Sequence, residues 1–390
     1  MRRIMARLLH DFPLTGKINY LNTAGVGLVP VPVVRQVQEF AETCLSRPPY
    51  EEVFQQNLDM VEKTRKSFAE FIGCSRDELS FQTNTSMGVS LVSEVIPWKK
   101  GDEVLIDELQ FPSDIYPWMN LSRQGVKLKI ISSRNGQVDV TDYQKAVGKR
   151  TKLIAVSLVS WVNGLTHDIE ALGELAKRRG AYFLVDATHG TGYLDIDAHR
   201  SHADFLVTSN YKWLLSTFGA AELYMRKDLI DEIQSPHVGW FSSKDYREAA
   251  AVFDHYEPAR YARKLEPGNL DYMSIFCLQK SVGYMNKFGL RKVQKETFKL
   301  HEHLTNGLLK IGMQILTPIH SDQWSALVFC RIPGMKGSEV ARLLRKKKIH
   351  VTPRVFKDFD GLRIAPYFYN TVEDIESLLD ELKRIRRTIL

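Results

Sequence analysis

The chain has 390 residues and a formal net charge of +7, with 44% hydrophobic and 25% charged residues. These values are ordinary for a soluble globular protein with one large and one smaller domain, and the absence of a long apolar run excludes an integral membrane protein. Four scattered cysteines without a C-x-x-C pair exclude a disulfide framework and a zinc site, so we predict no bound metal and a cytoplasmic location.

Strands and helices alternate along the first two thirds of the chain. A short extended segment at 18–26 precedes a mostly helical region at 30–65, which is interrupted around Pro48 and Pro49. Strands are then predicted at 79–82, 103–106, 128–132, 153–159, 182–186, 205–208 and 221–225, and helices at 86–95, 114–124 and 169–179. This order predicts an α/β fold with a seven-stranded, mainly parallel sheet that helices cover on both faces.

The pattern changes after Lys227. An irregular stretch at 231–270 is followed by long helices at 273–288 and 292–311, and by a strand–helix–strand region from 313 onwards. We therefore predict a large domain over residues 1–255, which includes the N-terminal segment, and a smaller α+β domain over residues 256–390.

Two basic segments near the C-terminus account for much of the positive charge. Residues 342–348 (RLLRKKK) and 383–387 (KRIRR) both have a helical pattern, and solvated helix faces explain them better than nucleic-acid binding does. A positive site would also suit an anionic phosphate cofactor and carboxylate substrates. We predict neither a nucleic acid nor a membrane as a partner.

Two neighbouring apolar runs end in residues that carry chemistry. The run 182–185 ends in Asp186, and the strand at 205–208 is followed by a short polar segment that ends in Lys212. The carboxyl ends of parallel strands form the edge where ligands bind in open α/β sheets. An acid and an amine at this edge suit pyridoxal 5'-phosphate (PLP), because a lysine forms a Schiff base with its aldehyde and an acid keeps its ring nitrogen protonated.

Four hydroxyl-bearing residues lie where they could bind the phosphate of such a cofactor. Thr85 and Ser86 begin a helix directly after a strand, and the free N–H groups and positive dipole end of a helix start attract phosphate. Ser209 and Tyr211 come just before Lys212. Taken alone, the Thr85–Ser86 turn is better explained by plain helix capping.

Three further residues fit the cofactor's ring. Phe111 could stack on the flat heterocycle, His189 could hydrogen-bond its phenolic oxygen, and Asp186 could pair with its ring nitrogen. Taken alone, Phe111 is better explained as a core residue, and Asp186 and His189 could each cap a turn. Their joint order at strand ends favours PLP over a dinucleotide, because the only nearby G-x-G has Asp195 at the third glycine position.

In these motifs the chain resembles the class-V aminotransferase family of fold-type-I PLP enzymes, which includes cysteine desulfurases, isopenicillin-N-epimerase-like proteins and kynureninases. The resemblance extends from about Tyr20 to the C-terminus. It implies that Lys212 in SNYKW is the Schiff-base lysine and that Asp186 in VDATHG partners the ring nitrogen. It also implies that His189 faces the phenolic oxygen and that Phe111 in FPSD stacks on the ring.

The resemblance also implies a homodimer with shared active sites and a clamp for the substrate carboxylate. Asn269 in EPGN and Trp240 in VGWF match residues that reach the phosphate of the neighbouring subunit's site. Arg363 in LRIAPYFYNT matches the arginine that binds the substrate α-carboxylate, with Arg354 as a second candidate. Phosphate contacts are matched by Thr85, Ser86, Ser209 and Tyr211.

Several reactions of this family stay open. Desulfurases carry a nucleophilic cysteine shortly before the clamp arginine, but residues 351–362 (VTPRVFKDFDGL) contain none and Cys330 lies well upstream. We predict a PLP enzyme that acts on a small amino acid through a Cα carbanion, with Lys212 as the base. The reaction would be aminotransferase- or epimerase-like or, alternatively, cleavage of a Cβ or C–S bond as in desulfurases or kynureninases. The intact Lys212, Asp186 and Arg363 argue against a non-catalytic PLP-binding protein.

Overall fold

The computed structural model of the chain describes residues 8–48, 52–244, 256–319 and 323–388. Its N-terminal segment contacts the far end of the chain: strand β1 (Asn19–Tyr20) pairs in parallel with residues 349–350, and Asn22 bridges to Ala365. Helices α1 (Val31–Ser46) and α2 (Glu52–Phe71) follow. The helical region that the sequence predicts is thus confirmed. Helix α1 ends at Ser46, before Pro48, whereas Pro49 lies outside the described residues.

The centre of the described part of the chain is a seven-stranded sheet. Its strands are β2 (Leu79–Gln82), β3 (Glu103–Asp107), β4 (Lys127–Ile131), β5 (Thr151–Ser157), β6 (Tyr182–Asp186), β7 (Phe205–Ser209) and β8 (Ala221–Met225). They lie in the order β2-β8-β7-β6-β5-β3-β4, and only β8 runs antiparallel to its neighbours. The predicted sheet is therefore confirmed. All its strands except β4 are mostly buried, as is typical of strands that helices cover on both faces.

Helices cover both faces of this sheet. They are α3 (Thr85–Val95), α4 (Tyr116–Asn120), α5 (Val140–Ala146), α6 (Ile169–Arg179) and α7 (Lys227–Glu232). One apolar core includes Phe68, Leu172 and Tyr224, and a second, on the other face, includes Val92, Trp118 and Leu223. The single helix predicted at 114–124 is wrong: a 3-10 turn, the short helix α4 and a second 3-10 turn take its place. Pro117 has no N–H with which to continue a preceding helix, and it lies in the first turn of α4, a position that proline favours.

The remainder of the chain forms a smaller α+β region. Its elements are α8 (Tyr272–Phe288), α9 (Leu290–Lys310), β9 (Gln314–Ile315), β10 (Val328–Arg331), α10 (Gly337–Lys346), β11 (Ile349–His350), β12 (Thr352–Phe356), β13 (Phe359–Ile364) and α11 (Val372–Arg387). Four of the strands form an antiparallel sheet in the order β12-β13-β10-β9. The boundary predicted between residues 255 and 256 falls at the edge of residues 245–255, which lie outside the described ranges, so this division remains a prediction.

The basic residues of 342–348 are exposed on and just after α10. In the described ranges, no helix has both the length and the apolar character needed to cross a membrane.

Candidate active site

The ends of β6 and β7 bring the predicted acid and lysine to one edge of the sheet. Asp186 ends β6, and Lys212 lies in the turn that follows β7. The N-terminal segment supports this turn, because the N–H of Gly27 donates to the carbonyl of Tyr211 at 2.8 Å. Only glycine fits at residue 27, since a Cβ there would lie 1.9 Å from the carbonyl oxygen of Lys212.

Lys212 and His189 are buried against each other. The Nζ atom of Lys212 lies 3.1 Å from Nε2 of His189, and the indole N–H of Trp213 donates to Nδ1 of His189 at 3.3 Å. Burial lowers the pKa of Lys212 to about 8, with Asp186 opposing that shift. Burial, followed by Lys212 and two arginines, lowers the pKa of His189 well below its ordinary value. With this pKa, roughly a tenth of Lys212 is the uncharged amine at pH 7, and this is the form that acts as a nucleophile.

A second carboxyl group lies beside Asp186, and the sequence analysis did not assign it a role. Asp114, in the turn after Phe111, is buried, and neither of its carboxyl oxygens accepts a hydrogen bond. Burial first, and then the neighbouring Asp186, raise the pKa of Asp114 well above its ordinary value. Asp186 accepts the backbone N–H of Thr188 at 2.8 Å. Asp114 is thus the protonated partner of the pair, and its proton can be donated to Asp186.

Phe111 presents a partly open aromatic ring to the lysine. The ring is 39% exposed, its centroid lies 5.7 Å from the amine of Lys212, and it meets the indole of Trp161 edge-on at 5.3 Å. An exposed ring held between two fixed groups can stack on a flat ligand.

Of the predicted phosphate-binding residues, Thr85 and Ser86 begin α3, while Ser209 ends β7 and Tyr211 follows it. Asn84 caps this helix by accepting the N–H of Met87. The hydroxyl of Thr85 lies 3.4 Å from that of Thr188, and Ser86 hydrogen-bonds Ser113 at 2.7 Å. Ser209 is buried with a hydroxyl that has no hydrogen-bond partner. The ring of Tyr211 stacks on Phe218 with 4.3 Å between the ring centroids.

Two arginines from the small sheet converge on Trp161. Arg363 donates to the backbone carbonyl of Trp161 at 3.0 Å, and the guanidinium of Arg354 lies 5.8 Å from the centre of its ring. The two arginines lie on the same face of the β12–β13 hairpin. Burial and the charge of Arg354 lower the pKa of Arg363 to about 9. Within the described residues neither arginine forms an ion pair with a carboxylate, and the Nε atom of each has no hydrogen-bond partner.

Two predicted site residues lie away from Lys212 within the chain. Asn269 lines a cavity of about 330 Å³ together with Thr83 and Met87, which flank the start of α3. Trp240 is partly exposed and contacts Phe54 and Phe241 instead. The predicted contribution of both residues is to the site of a neighbouring subunit, and it stays a prediction.

Comparison with known proteins places this geometry in a family. The model of the family described as "Aminotransferase class-V" matches residues 19–378. A probable cysteine desulfurase of Pyrococcus abyssi is 28% identical and an isopenicillin N epimerase of Streptomyces clavuligerus is 26% identical, over 99% and 93% of both chains respectively. The apo structure of a cysteine desulfurase from Thermococcus onnurineus superposes with a TM-score of 0.91 at 27% identity, over 98% of each chain. The chain therefore belongs to the class-V aminotransferase family of PLP-dependent enzymes.

Proposed function

We propose that this enzyme acts on an amino acid that carries a second anionic group, and that its chemistry uses no cysteine of its own. Arg363 binds the α-carboxylate and Arg354 binds the second anion. Lys212 moves the proton at Cα. The observation that carries this proposal is the pair of arginines at Trp161, both without a carboxylate partner in the described chain.

The residues present fit the cofactor. PLP requires an amine, an acid for its ring nitrogen, an apolar face and phosphate donors, and Lys212, the Asp186–Asp114 pair, Phe111 and the start of α3 with Ser209 would supply them. The buried hydroxyl of Ser209, which has no partner within the protein, supports a phosphate contact there. When bound, PLP supplies an aldehyde that condenses with the substrate's amine and a ring that withdraws the electron pair left at Cα.

The side chains of this protein would then perform distinct tasks. Lys212 accepts the Cα proton through its lone pair, which its lowered pKa makes available. Asp186 keeps a proton on the cofactor's ring nitrogen, and the neutral Asp114 prevents a second buried negative charge beside it. Each guanidinium offers paired N–H donors to a carboxylate, so the two fix the substrate at both ends.

The four cysteines lie apart from this site. Cys330 faces the core of the small sheet and burial raises its pKa to about 12, while Cys277 is buried on α8 near Val33. Cys44 is exposed on α1, and Cys74 follows α2. The segment in which desulfurases carry a cysteine is here the β12–β13 hairpin, and Lys357 at its turn forms an ion pair with Glu108 at 2.7 Å. This arrangement supports a thiol-independent reaction.

A substrate panel tests the proposal. We expect L-aspartate, L-glutamate or L-cystine to change the absorption of the PLP-loaded enzyme at far lower concentrations than L-alanine, L-cysteine or L-kynurenine. Arg354→Gln should raise KM for the two-anion substrate by about 10-fold or more, since a charged hydrogen bond is worth about 1.5–3 kcal/mol, and leave KM for L-alanine unchanged. Arg331→Gln, on neighbouring β10, is the matched control. Equal KM values of Arg354→Gln and wild type for every substrate would overturn the second anion site.

The products identify the reaction. Pyridoxamine phosphate would indicate transamination, exchange of the Cα hydrogen with inversion would indicate epimerisation, and pyruvate with a sulfur product from L-cystine would indicate C–S cleavage. The last is the second candidate, because L-cystine carries a carboxylate at each end. Sulfide release from L-cysteine that disappears in Cys→Ser variants would contradict a thiol-independent enzyme.

We also propose a homodimer with shared sites in the cytoplasm. Large apolar side chains are exposed around the site, and Asn269 faces the cavity beside α3; the exposed residues are Met87, Tyr116, Met119 and Phe218. Mixing inactive Lys212→Ala and Asn269→Ala subunits should restore activity in half of the mixed dimer's sites, and no recovery would contradict sharing.

The unpaired state of all four cysteines supports a reducing compartment.

A further inference from the structure

A buried polar network lies beneath Phe111 and Trp161, at the carboxyl ends of β3 and β5. Its centre is Asp107, the last residue of β3, which is fully buried. One carboxylate oxygen accepts the N–H of Leu109 at 2.7 Å. The other accepts the side-chain amide of Gln110 at 2.6 Å and the hydroxyl of Tyr143 at 2.5 Å, and Nε2 of His167 lies 3.2 Å from it.

The network continues from Asp107 to the walls of the site. The amide oxygen of Gln110 accepts the N–H and the hydroxyl of Ser157, at 2.6 and 2.8 Å. The backbone carbonyl of Gln110 accepts the indole N–H of Trp161 at 2.9 Å, and the carbonyl of Trp161 accepts Arg363 at 3.0 Å. Gln110 also directly precedes Phe111. A single carboxylate is therefore connected to the stacking ring and to the substrate arginine.

The hydrogen bonds of this network require that the carboxylate of Asp107 is ionised. Burial alone would raise the pKa of Asp107, but hydrogen bonds from His167, Tyr143 and Leu109 outweigh burial and lower it. The carboxylate accepts from Leu109, Gln110 and Tyr143, so each of these donors has one defined direction. The four side chains that meet here, those of Asp107, Gln110, Tyr143 and His167, are all buried.

We infer that Asp107, Gln110, Tyr143 and His167 form a positioning unit that sets the orientation of Phe111 and Trp161 and, through Trp161, of Arg363. Of the two measurements below, only the affinity for PLP depends on the proposed stacking role of Phe111. The orientation of Trp161 tests it independently of that role.

Asp107→Asn is the decisive variant, because it keeps the shape but places an amide N–H2 group either against the N–H of Leu109 or against the donors of Gln110 and Tyr143. The control is Asp204→Asn, at a buried carboxylate just before β7 that accepts the N–H of Phe183 and pairs with Arg226. The first readout, on cofactor-free protein, is the near-ultraviolet circular dichroism of Trp161, taken as the difference between each protein and the same protein with Trp161→Phe. The second is the dissociation constant of PLP from absorbance titration.

We expect Asp107→Asn to lose most of the Trp161 signal and to raise the PLP dissociation constant about 10-fold, as for one mispaired buried hydrogen bond. Asp204→Asn should keep both values. The double variant Asp107→Asn/Gln110→Glu restores a matched donor and acceptor between these side chains and should recover both readouts in part. If Asp107→Asn does not fold, Gln110→Leu carries the same two measurements.

A Trp161 signal in Asp107→Asn equal to that of Asp204→Asn would overturn the inference. Phe111→Ala separates the two proposals. If it leaves PLP affinity unchanged, the stacking role of Phe111 is wrong, while the Trp161 signal still decides the positioning unit.

Discussion

The amine of Lys212 lies 3.1 Å from Nε2 of His189, the ring nitrogen opposite the one that faces Trp213. Trp213 donates to Nδ1 of His189, so the neutral ring carries its hydrogen on Nε2, which points at Lys212. An ammonium group has no lone pair with which to accept that hydrogen. The local hydrogen-bond pattern and the burial of Lys212 therefore both favour the free amine.

The burial of Lys212 should make the stability of the cofactor-free protein depend on pH. Its pKa is about 8 in the folded chain, against an ordinary 10.5, so the unfolded chain binds its proton more tightly and stability rises with pH between these values. We expect Lys212→Met to be more stable than wild type by about 3 kcal/mol at pH 7. That advantage should shrink towards pH 10.5 in urea unfolding. A constant difference across this range, or the same trend in the exposed Lys280→Met control, would refute the assignment.

Covalent attachment of the cofactor should depend on Lys212 alone. We expect borohydride treatment of the wild-type holoenzyme to add the pyridoxyl mass to the peptide that contains Lys212, as peptide mass spectrometry would detect. Lys212→Ala should carry no modified lysine, whereas Lys227→Ala, at an exposed position, should be labelled like the wild type. A pyridoxyl group on another lysine in Lys212→Ala would show that the nucleophile is elsewhere.

Asp114 should behave as a neutral hydrogen-bond donor. Its raised pKa means that its contribution to stability is complete below an ordinary aspartate pKa and is lost as pH rises through the folded value. Asp114→Asn keeps a donor to Asp186 without titrating, so we expect it to gain stability relative to wild type as pH rises above an ordinary aspartate pKa. PLP affinity should change less than about threefold. Asp114→Ala lacks the donor and should bind PLP more weakly; equal affinities of the Asn and Ala variants would contradict this role.

Arg363 should lower the stability of the folded protein while it strengthens the binding of the substrate. It is buried without a carboxylate partner in the described chain, and its lowered pKa reflects that cost. Arg363→Met should therefore stabilise the cofactor-free protein by about 2 kcal/mol in denaturant unfolding at pH 7. The same variant should raise KM for the amino-acid substrate about 10-fold or more. A loss of stability together with an unchanged KM would mean that Arg363 is a structural residue.

The parts of the site that sequence analysis predicted are those encoded by local pattern. Strands β2, β6 and β8 have the predicted bounds because each is an apolar run that ends at polar residues, and Asp186 and Lys212 were recognisable from their place after such runs. The role of Asp114 was missed although it lies in the FPSD motif. Its character comes from burial beside Asp186, a residue of a different strand, and no local pattern records that contact.

The network around Asp107 escaped prediction for the same reason. Asp107, Tyr143 and His167 come from three separate segments, and each looks like an ordinary core or capping residue by itself. The error at 114–124 was of another kind, because Pro117 should have signalled a break in that helix. The roles of Asn269 and Trp240 stay predictions, since they concern a second subunit.

The N-terminal segment has a consequence for how the enzyme is made. Residues 19–27 pair with β11, contact Ala365 and support the turn that carries Lys212. The hydrogen bond between Asn22 and Thr352 joins residues 330 positions apart in the chain. A ribosome must therefore release almost the whole polypeptide before its first strand finds a partner. Contacts between residues far apart in the sequence form slowly. The turn that carries Lys212 is therefore incompletely supported until synthesis is nearly complete.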